Sequence, residues 1–264
     1  MLRISSFVIA LLLPLSGYAH NHAGEPATLP EKAMAFAQTA PVKFQPGKGV
    51  ADLQSWGRAF GDVVESNGTP YRMTTWTPFY SNLAALPDIA HFDTLFFGIW
   101  PSIADFGKGW DGFFKNGAKV QAALDEIVVP SNQRSMAVLY SLSPSKGQYE
   151  PSNGLIRILG CELSEGKTVE DAYAAGVSAA HKADEGGLGF NASFMMVPGP
   201  GAAPSQENHV YLVEAFRSIT DYGVGYDKMT RVTRRAIRQT TGDVMSCDAP
   251  RLYLSNAVYW PVSD

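Results

Sequence analysis

Two charged residues lie inside apolar runs that are typical of β-strands, and they are the strongest candidates for chemistry in this chain. Glu214 lies in the run of residues 210–216, and Arg157 lies in that of residues 155–159. Burial of a charged side chain is costly unless the charge has a partner. Glu214 is therefore either half of an ion pair with little net effect on stability or a cleft carboxylate that acts as a general base. We favour the ion pair, because neither a histidine nor a second acid accompanies Glu214.

Four further side chains occupy comparable positions in two other strand-like runs, residues 71–79 and 190–197. Polar side chains in such runs need hydrogen-bond partners when they are buried. We therefore expect them to line the same cavity as Arg157 and to contact its ligand, with Glu214 as the candidate catalytic residue. The four residues are Arg72, Trp76, Asn191 and Ser193.

Histidines are the remaining candidates for chemistry. If the chain is cleaved after Ala19, a free amine is followed by His20 and His22, and an amine with a histidine in third place can bind Cu(II) in square-planar geometry. The alternative, which we favour, is a solvated tail that binds no metal. His181 lies in a helix-like segment, where a lone histidine is more often structural than a haem ligand. We expect no cofactor, since the chain also has no HExxH, GxSxG, CxxC or EF-hand motif.

The N-terminus has the composition of a secretory signal peptide. Arg3 is followed by an apolar run over residues 7–13 and then by small residues at positions 17 and 19, which a signal peptidase recognises. We therefore predict a signal peptide over residues 1–19 and a periplasmic or secreted protein. The apolar run is too short to cross a bilayer, which needs about 20 residues, so we expect no membrane span. Residues 20–40 contain prolines and no strong periodicity, which indicates a flexible tether.

The composition excludes two classes of protein. The chain has 264 residues, of which 45% are hydrophobic and 17% charged, and its formal net charge is −4. A disordered chain is excluded, because this apolar content is enough to form a core. Nucleic acid is not expected as a partner, because a phosphate-binding surface needs clustered Lys and Arg.

An internal repeat is the clearest feature of the sequence. Residues 102–111 align without gaps to residues 218–227, with identical residues at six of ten positions. Residues 47–52 align in the same way to residues 166–171. Two matched blocks in the same order indicate a duplication. We predict two repeats, residues 41–145 and residues 154–260.

Each repeat has the pattern strand, helix, strand, strand, helix, strand, which is typical of a ferredoxin-like unit. With this order, the duplication and the Trp-Pro-Ser turn at residues 100–102, the chain resembles the dimeric α+β barrel superfamily. The stretch of residues 161–168 is also similar to one in uncharacterised exported bacterial proteins. The resemblance implies an α+β fold in which two ferredoxin-like sheets face each other within one chain. The superfamily includes cofactor-independent oxygenases, haem enzymes and proteins of no known activity, so it implies architecture rather than chemistry.

The assumed topology brings two residue pairs together. First and fourth strands of a ferredoxin-like sheet are antiparallel neighbours, so we expect a disulfide between Cys161 and Cys247 in an exported chain. The alternative, a reactive cysteine, has no basic partner nearby in the sequence. First and third strands are also neighbours, so Arg157 and Glu214 are expected to lie close together.

The repeated motifs have a structural explanation. Ser102 and Ser218 each precede an aspartate by three residues, and this spacing is typical of a helix-capping box. Thr168 has the same spacing at the first helix of the second repeat. The aromatic residues at equivalent positions of the repeats are expected in the core; they are Trp100, Trp110, Phe216 and Tyr226.

Three functions are consistent with the sequence. We favour an exported module that binds a small, largely apolar ligand in a cleft of the barrel. The first alternative is a cofactor-independent oxygenase that uses Glu214 or a histidine as proton acceptor. The second is a structural or interaction protein with a filled core.

Overall fold

The computed structural model describes residues 26–80, 92–130, 134–143, 154–199 and 206–261. The predicted signal peptide, His20 and His22 lie outside the described residues. The strands are β1 (Ala35–Phe44), β2 (Arg72–Tyr80), β3 (Thr94–Trp100), β4 (Val128–Val129), β5 (Ser135–Ser143), β6 (Gly154–Leu163), β7 (Ala192–Pro198), β8 (His209–Phe216), β9 (Met245–Cys247) and β10 (Arg251–Tyr259). The helices are α1 (Val50–Ser66), α2 (Ile103–Asn116), α3 (Ala118–Asp125), α4 (Val169–Glu185), α5 (Ile219–Lys228) and α6 (Arg231–Gly242). None of these helices is long and apolar enough to cross a membrane.

Eight strands close into a barrel, which makes this a mixed α+β fold. Their order around the barrel is β10, β2, β3, β1, β5, β7, β8 and β6, and β6 pairs again with β10. The two short strands lie beside this ring, β4 on β1 and β9 on β6. Strands from the first half of the chain meet those of the second half at two seams, β5 with β7 and β10 with β2. The barrel therefore closes within one chain.

The barrel interior is a packed apolar core. Alternate residues of a strand point to opposite faces of a sheet, and all eight barrel strands contribute inward side chains to one cluster. Trp76 stacks on Phe97 there, with ring centroids 3.9 Å apart. Leu139, Met196 and Tyr253 close the cluster from the other strands. Helices cover the outer face, and two further clusters lie between them and the strands.

Capping side chains start the helices where the repeated motifs predict them. The Ser102 hydroxyl accepts a hydrogen bond from the Asp105 backbone N–H at 3.0 Å, and Ser218 accepts one from Asp221 at the same distance. At α4, Thr168 accepts one from the Asp171 N–H at 3.3 Å. These bonds satisfy backbone donors that would otherwise have no partner at a helix N-terminus.

The first strand begins earlier than the sequence indicates. Strand β1 starts at Ala35, so the tether predicted over residues 20–40 is too long at its C-terminal end. The reason is tertiary: residues 35–39 pair with β5, and residues 36–42 pair with β3. Pro41 pairs with Leu95 of β3 but lies beyond the last residue paired with β5, so the strand tolerates its missing N–H on that side.

The predicted element order has one helix after the third strand of each repeat, but in the first half this helix is broken in two. Helix α2 ends at Asn116 and α3 begins at Ala118, with Gly117 between them. A Cβ on Gly117 would lie 2.6 Å from the Phe113 carbonyl oxygen, so only glycine fits this junction. The corresponding segment of the second half is also two helices, α5 and α6.

The disulfide expected between Cys161 and Cys247 is present. The two cysteines lie opposite each other in the register of β6 and β9. They are 86 residues apart in the sequence, so the bond ties the first strand of the second half to the strand pair at its end.

We predict that replacing both cysteines with serine lowers the free energy of unfolding by about 4–5 kcal/mol, because a cross-link across a loop of this length restricts the unfolded chain by that amount. Urea unfolding of the oxidised chain and of the Cys161→Ser, Cys247→Ser variant measures the difference. A reductant should lower the stability of the native chain similarly and leave the variant unchanged. Equal stability of oxidised chain and variant would contradict the prediction.

Candidate functional site

A cavity of about 280 Å³ lies between the outer face of the first-half strands and helices α1–α3. Six aromatic rings from helices and strands line it. They come from three elements: Trp56 and Phe60 from α1, Phe96 and Trp100 from β3, and Trp110 and Phe113 from α2. The candidate site is therefore outside the barrel, under the helical layer, rather than in the barrel cleft that the sequence favours.

The helix over each half differs in the size of its inward side chains. On α1 these are Trp56, Phe60 and Val64. At the corresponding positions of α4, 119 residues later, the side chains are all methyl groups. Large rings hold a helix away from the sheet, whereas small residues permit close approach. The side chains of α1 therefore only partly fill the space between this helix and the strands of the first half. The α4 residues are Ala175, Ala179 and Ala183.

Gly98 makes room for the hydroxyl group of Tyr71. A Cβ at position 98 would overlap the Tyr71 hydroxyl oxygen, so a larger residue on this strand would displace the tyrosine. Burial raises the pKa of Tyr71 above its usual value, and the nearby Arg134 guanidinium offsets only part of this rise. The hydroxyl group therefore stays protonated and can donate a hydrogen bond.

Hydrogen-bond donors predominate among the buried polar groups of the wall. The indole Nε1 of Trp100 is buried and has no hydrogen-bond partner among the described residues. The Trp110 indole donates to Gln38 Oε1 at 3.1 Å, which leaves the Gln38 amide with N–H groups to offer. An indole can only donate, so both of these tryptophans contribute donors rather than acceptors to the wall.

A cation and a carboxylate lie on the more exposed part of the lining. The Arg134 guanidinium is 4.6 Å from the centroid of the Trp110 ring, a distance at which a cation and an aromatic face attract each other. The Asp125 carboxylate accepts a hydrogen bond from Gln121 at 2.7 Å. Trp110 and Gln121, which make these two contacts, also line the cavity.

Arg157 and Glu214 occupy the corresponding place in the second half. The Arg157 Nη1 lies 2.5 Å from Glu214 Oε2, which confirms the predicted proximity. Their register on β6 and β8 matches that of Gln38 and Gly98 on β1 and β3. Burial alone would lower the pKa of Arg157, but the Glu214 carboxylate more than offsets this and raises it. Arg157 therefore keeps its charge, and it donates a hydrogen bond to the Glu214 carboxylate across the two strands.

The structure does not bring the six predicted site residues together. Arg157, Glu214 and Ser193 lie near each other, with Ser193 opposite Glu214 on β7. Trp76 is in the barrel interior, on the other side of the sheet. Asn191 is buried beside Arg217, whose Nε lies 3.3 Å from its Oδ1. Arg72 is exposed, 5.0 Å from the ring of Trp260. Strand alternation separates Trp76 from Arg157, Glu214 and Ser193, since it sends successive residues of a strand to opposite faces of the sheet.

The described residues do not fit a haem or a metal site. The cavity is lined by neither histidine nor cysteine, and its Tyr71 stays protonated, so the lining lacks the His, Cys or tyrosinate ligand that holds the iron in globins, P450s and catalase. His181 lies on the surface of α4 with 73% of its side chain exposed, 3.1 Å from Glu185. Within the described ranges, no group of three or more His, Cys, Asp or Glu is arranged to hold a metal ion. The copper site considered at His20 and His22 lies outside these ranges.

Comparison with known proteins relates the chain by fold alone. No protein-family model matches it, and no curated protein matches it significantly. A proposed monooxygenase from Lactobacillus acidophilus superposes with a TM-score of 0.52 at 11% identity, over 85% of this chain and 95% of that one. A proposed monooxygenase from Fusobacterium nucleatum gives 0.51 at 11% identity, over 86% and 93%. The chain has the dimeric α+β barrel fold. At such low identity the match carries no assignment of activity.

Within this dimeric α+β barrel, sequence analysis missed the residues that make the cavity. Tyr71 and Gln38 were not singled out, and Trp110 was expected only as core. Tyr226, also expected in the core, is 45% exposed. Two signals were present in the sequence: glycine at position 98 where the second half has Glu214, and large rings on the first helix where the second half has alanines.

We predict that Gly98→Ala lowers the free energy of unfolding by about 1–3 kcal/mol, because the added methyl group forces Tyr71 to move. Gly107→Ala is the matched control on α2. A Cβ there meets no atom within 4 Å, so this change should raise stability by about 0.5–1 kcal/mol. Urea unfolding measures both. A Gly98→Ala variant as stable as the native chain would show that the tyrosine is not confined as described.

Proposed function

We propose that this chain is an exported protein that binds a small, planar, largely apolar ligand in the cavity beneath α1–α3. The volume of about 280 Å³ is just below the usual range for ligand pockets, so it suits a ligand smaller than a typical drug molecule. Aromatic walls favour a flat ring system, which can stack on them. The sequence also favours binding of a small apolar ligand, but in a cleft of the barrel rather than beneath α1–α3.

The buried Trp100 indole N–H carries the proposal. A buried donor without a partner costs roughly 1–3 kcal/mol, and this one is in the wall of a cavity large enough for a ligand. An oxygen acceptor on the ligand, such as an aryl ketone, would satisfy it. The Tyr71 hydroxyl group and the Gln38 amide supply further donors in the same wall.

The two halves of the chain are proposed to be ferredoxin-like repeats of which only the first keeps a binding site. The order of strands and helices supports this, since β1–β5 with α1–α3 is followed by the same order in β6–β10 with α4–α6. In the second half the Arg157–Glu214 pair takes the place of Gln38 and Gly98. An ion pair there fills space that is left open in the first half.

Export is supported by two independent features. The N-terminal residues have the pattern of a signal peptide, and the Cys161–Cys247 disulfide is of the kind that forms and persists in oxidising compartments. A periplasmic or secreted location would supply both the cleavage and the oxidation.

A cofactor-independent oxygenase is the second candidate. It is supported by the names of the two fold neighbours, both of which are proposed monooxygenases. In such an enzyme the substrate would occupy the same cavity, since Glu214 is paired with Arg157 on the other half. Oxygen consumption with 1-tetralone or 1-naphthol distinguishes this candidate from binding alone.

We predict that 1-tetralone, an aryl ketone, binds more tightly than tetralin, which has the same ring skeleton without the oxygen. Trp100→Phe should weaken binding of 1-tetralone about tenfold more than binding of tetralin, because loss of the N–H donor affects only the ketone, whereas loss of ring area affects both ligands. Isothermal titration calorimetry measures both ligands. Trp76→Phe makes the same chemical change in the barrel interior and should affect neither. An unchanged ratio of the two affinities in Trp100→Phe would refute the proposed contact.

A cavity-filling variant tests the location independently. Ala40 lines the cavity, and the corresponding position of the second half carries Leu159. Ala40→Leu should abolish binding of both 1-tetralone and tetralin, because the added atoms occupy the ligand's space. Retained binding of either would place the site elsewhere.

We further predict that the affinity for 1-tetralone is constant from about pH 7 to about pH 9. Tyrosine normally titrates near pH 10, and burial raises the pKa of Tyr71, so the donor is present throughout this range. Calorimetry at several pH values checks this. A loss of affinity at the alkaline end that Tyr71→Phe removes would mean that Tyr71 ionises much earlier than its burial implies.

A further inference from the structure

Helix α6 carries a row of arginines on one face. Arg231, Arg234, Arg235 and Arg238 have the spacing i, i+3, i+4 and i+7, which places side chains on one side of a helix. The segment of residues 228–242 also contains Lys228 and has no acidic residue. A chain with a net charge of −4 thus concentrates cations on one surface element.

These arginines have few partners in the protein. Arg231, Arg235 and Arg238 are exposed, and none of them forms an ion pair with another described residue. The fourth, Arg234, lies 5.1 Å from the centroid of the Tyr226 ring on α5. Three guanidinium groups are therefore available to an external anion.

The opposite face of α6 holds the helix on the protein. Ile237 packs against the second-half core, and the Thr240 hydroxyl accepts a hydrogen bond from Lys182 of α4. Thr233 lies close to Gly186 at the end of α4. The packed face fixes the orientation of the helix, so the arginines point to solvent as a rigid row.

Exposed apolar side chains accompany the arginines. We define the α5–α6 surface as residues 219–242. It contains two exposed acidic residues, Asp221 and Asp227, both on α5 and apart from the arginine row of α6. It also contains four of the large apolar residues that are well exposed, in a segment of only 24 positions. Scattered exposed apolar residues are normal, but a concentration next to a charged row indicates an interaction site. The four are Ile219 at 45%, Val224 at 50%, Tyr226 at 45% and Val232 at 78%.

We propose that the α5–α6 surface docks the protein on an anionic phospholipid membrane. Guanidinium groups bind phosphate oxygens well, and each basic residue near an anionic lipid surface adds to the attraction. Side chains such as Val232 and Tyr226 would enter the interfacial region, where apolar and aromatic groups are stabilised. A nucleic acid would engage the arginines but leave these apolar side chains without a role. The protein rests on the membrane through one face and does not span it.

Co-sedimentation with vesicles tests the proposal. The chain from His20, the predicted mature N-terminus, is mixed with vesicles of equal parts phosphatidylglycerol and phosphatidylcholine, or of phosphatidylcholine alone. We expect binding to the anionic vesicles that weakens with added salt. The triple variant Arg231→Gln, Arg235→Gln, Arg238→Gln should bind them about 100-fold more weakly, given the contribution of each charge.

A charge-matched control places the same change elsewhere. Lys108, Lys115 and Lys119 are exposed on α2 and α3, the corresponding helices of the first half. The Lys108→Gln, Lys115→Gln, Lys119→Gln variant has the same net charge as the arginine variant. It should bind the anionic vesicles within about twofold of the native chain, because its charges lie outside the docking surface.

A third variant separates lipid from nucleic acid. Val232→Ser should lower vesicle binding about threefold, since it removes an apolar group from the interface, and should not change binding to a short DNA duplex. The proposal is overturned if the native chain does not bind the anionic vesicles, if both triple variants lose binding equally, or if the DNA duplex binds more tightly than the vesicles. Circular dichroism confirms that each variant is folded, and the salt dependence of the native chain tests the electrostatic part without any substitution.

Discussion

Closure of eight strands into one barrel forces every strand to send alternate side chains inward and outward, and the rest of the structure depends on this alternation. The inward set, including Trp76, Phe97 and Leu139, packs into an apolar core. The outward set meets the helices, so binding and charge chemistry are placed on the outer face. The residues on the helices then decide whether the space above each half of the barrel is open or filled.

The two halves have the same order of strands and helices, but different side chains fill the layer between them. On the first half, aromatic residues of α1 and the glycine at position 98 leave a cavity, and the buried Trp100 N–H in its wall has no hydrogen-bond partner among the described residues. On the second half, alanines on α4 and the Arg157–Glu214 pair fill the equivalent layer. The second half instead presents its outermost helices to solvent, and three arginines of α6 form no ion pair within the part of the chain that the structure describes. A ligand site and a docking surface can therefore lie on one chain without competing for the same side chains.

The sequence was sufficient to predict the helix caps and the contacts between residues on adjacent strands. The helix caps at Ser102 and Ser218 depend on three-residue spacing, and the Cys161–Cys247 bond and the Arg157–Glu214 pair depend on which strands are adjacent once the fold class is assumed. The arginine row of α6 also follows from helical spacing, but a net charge of −4 hides it when charge is averaged over the chain. The average charge of the chain argues against a basic surface, whereas the spacing of the arginines on α6 forms one.

The sequence by itself determined the α+β class, the duplicated order of elements and the pairs that meet across adjacent strands, because these depend on periodicity and on residues close in the chain or in the topology. Only the tertiary structure decided that Trp76 and Glu214 lie on opposite sides of one sheet, that β1 extends back to Ala35, and that the cavity lies under α1. These features depend on which face of a strand meets a helix that is distant in the sequence. They also depend on how closely the intervening side chains allow that strand and helix to approach. That distance is set by packing between elements far apart in the sequence.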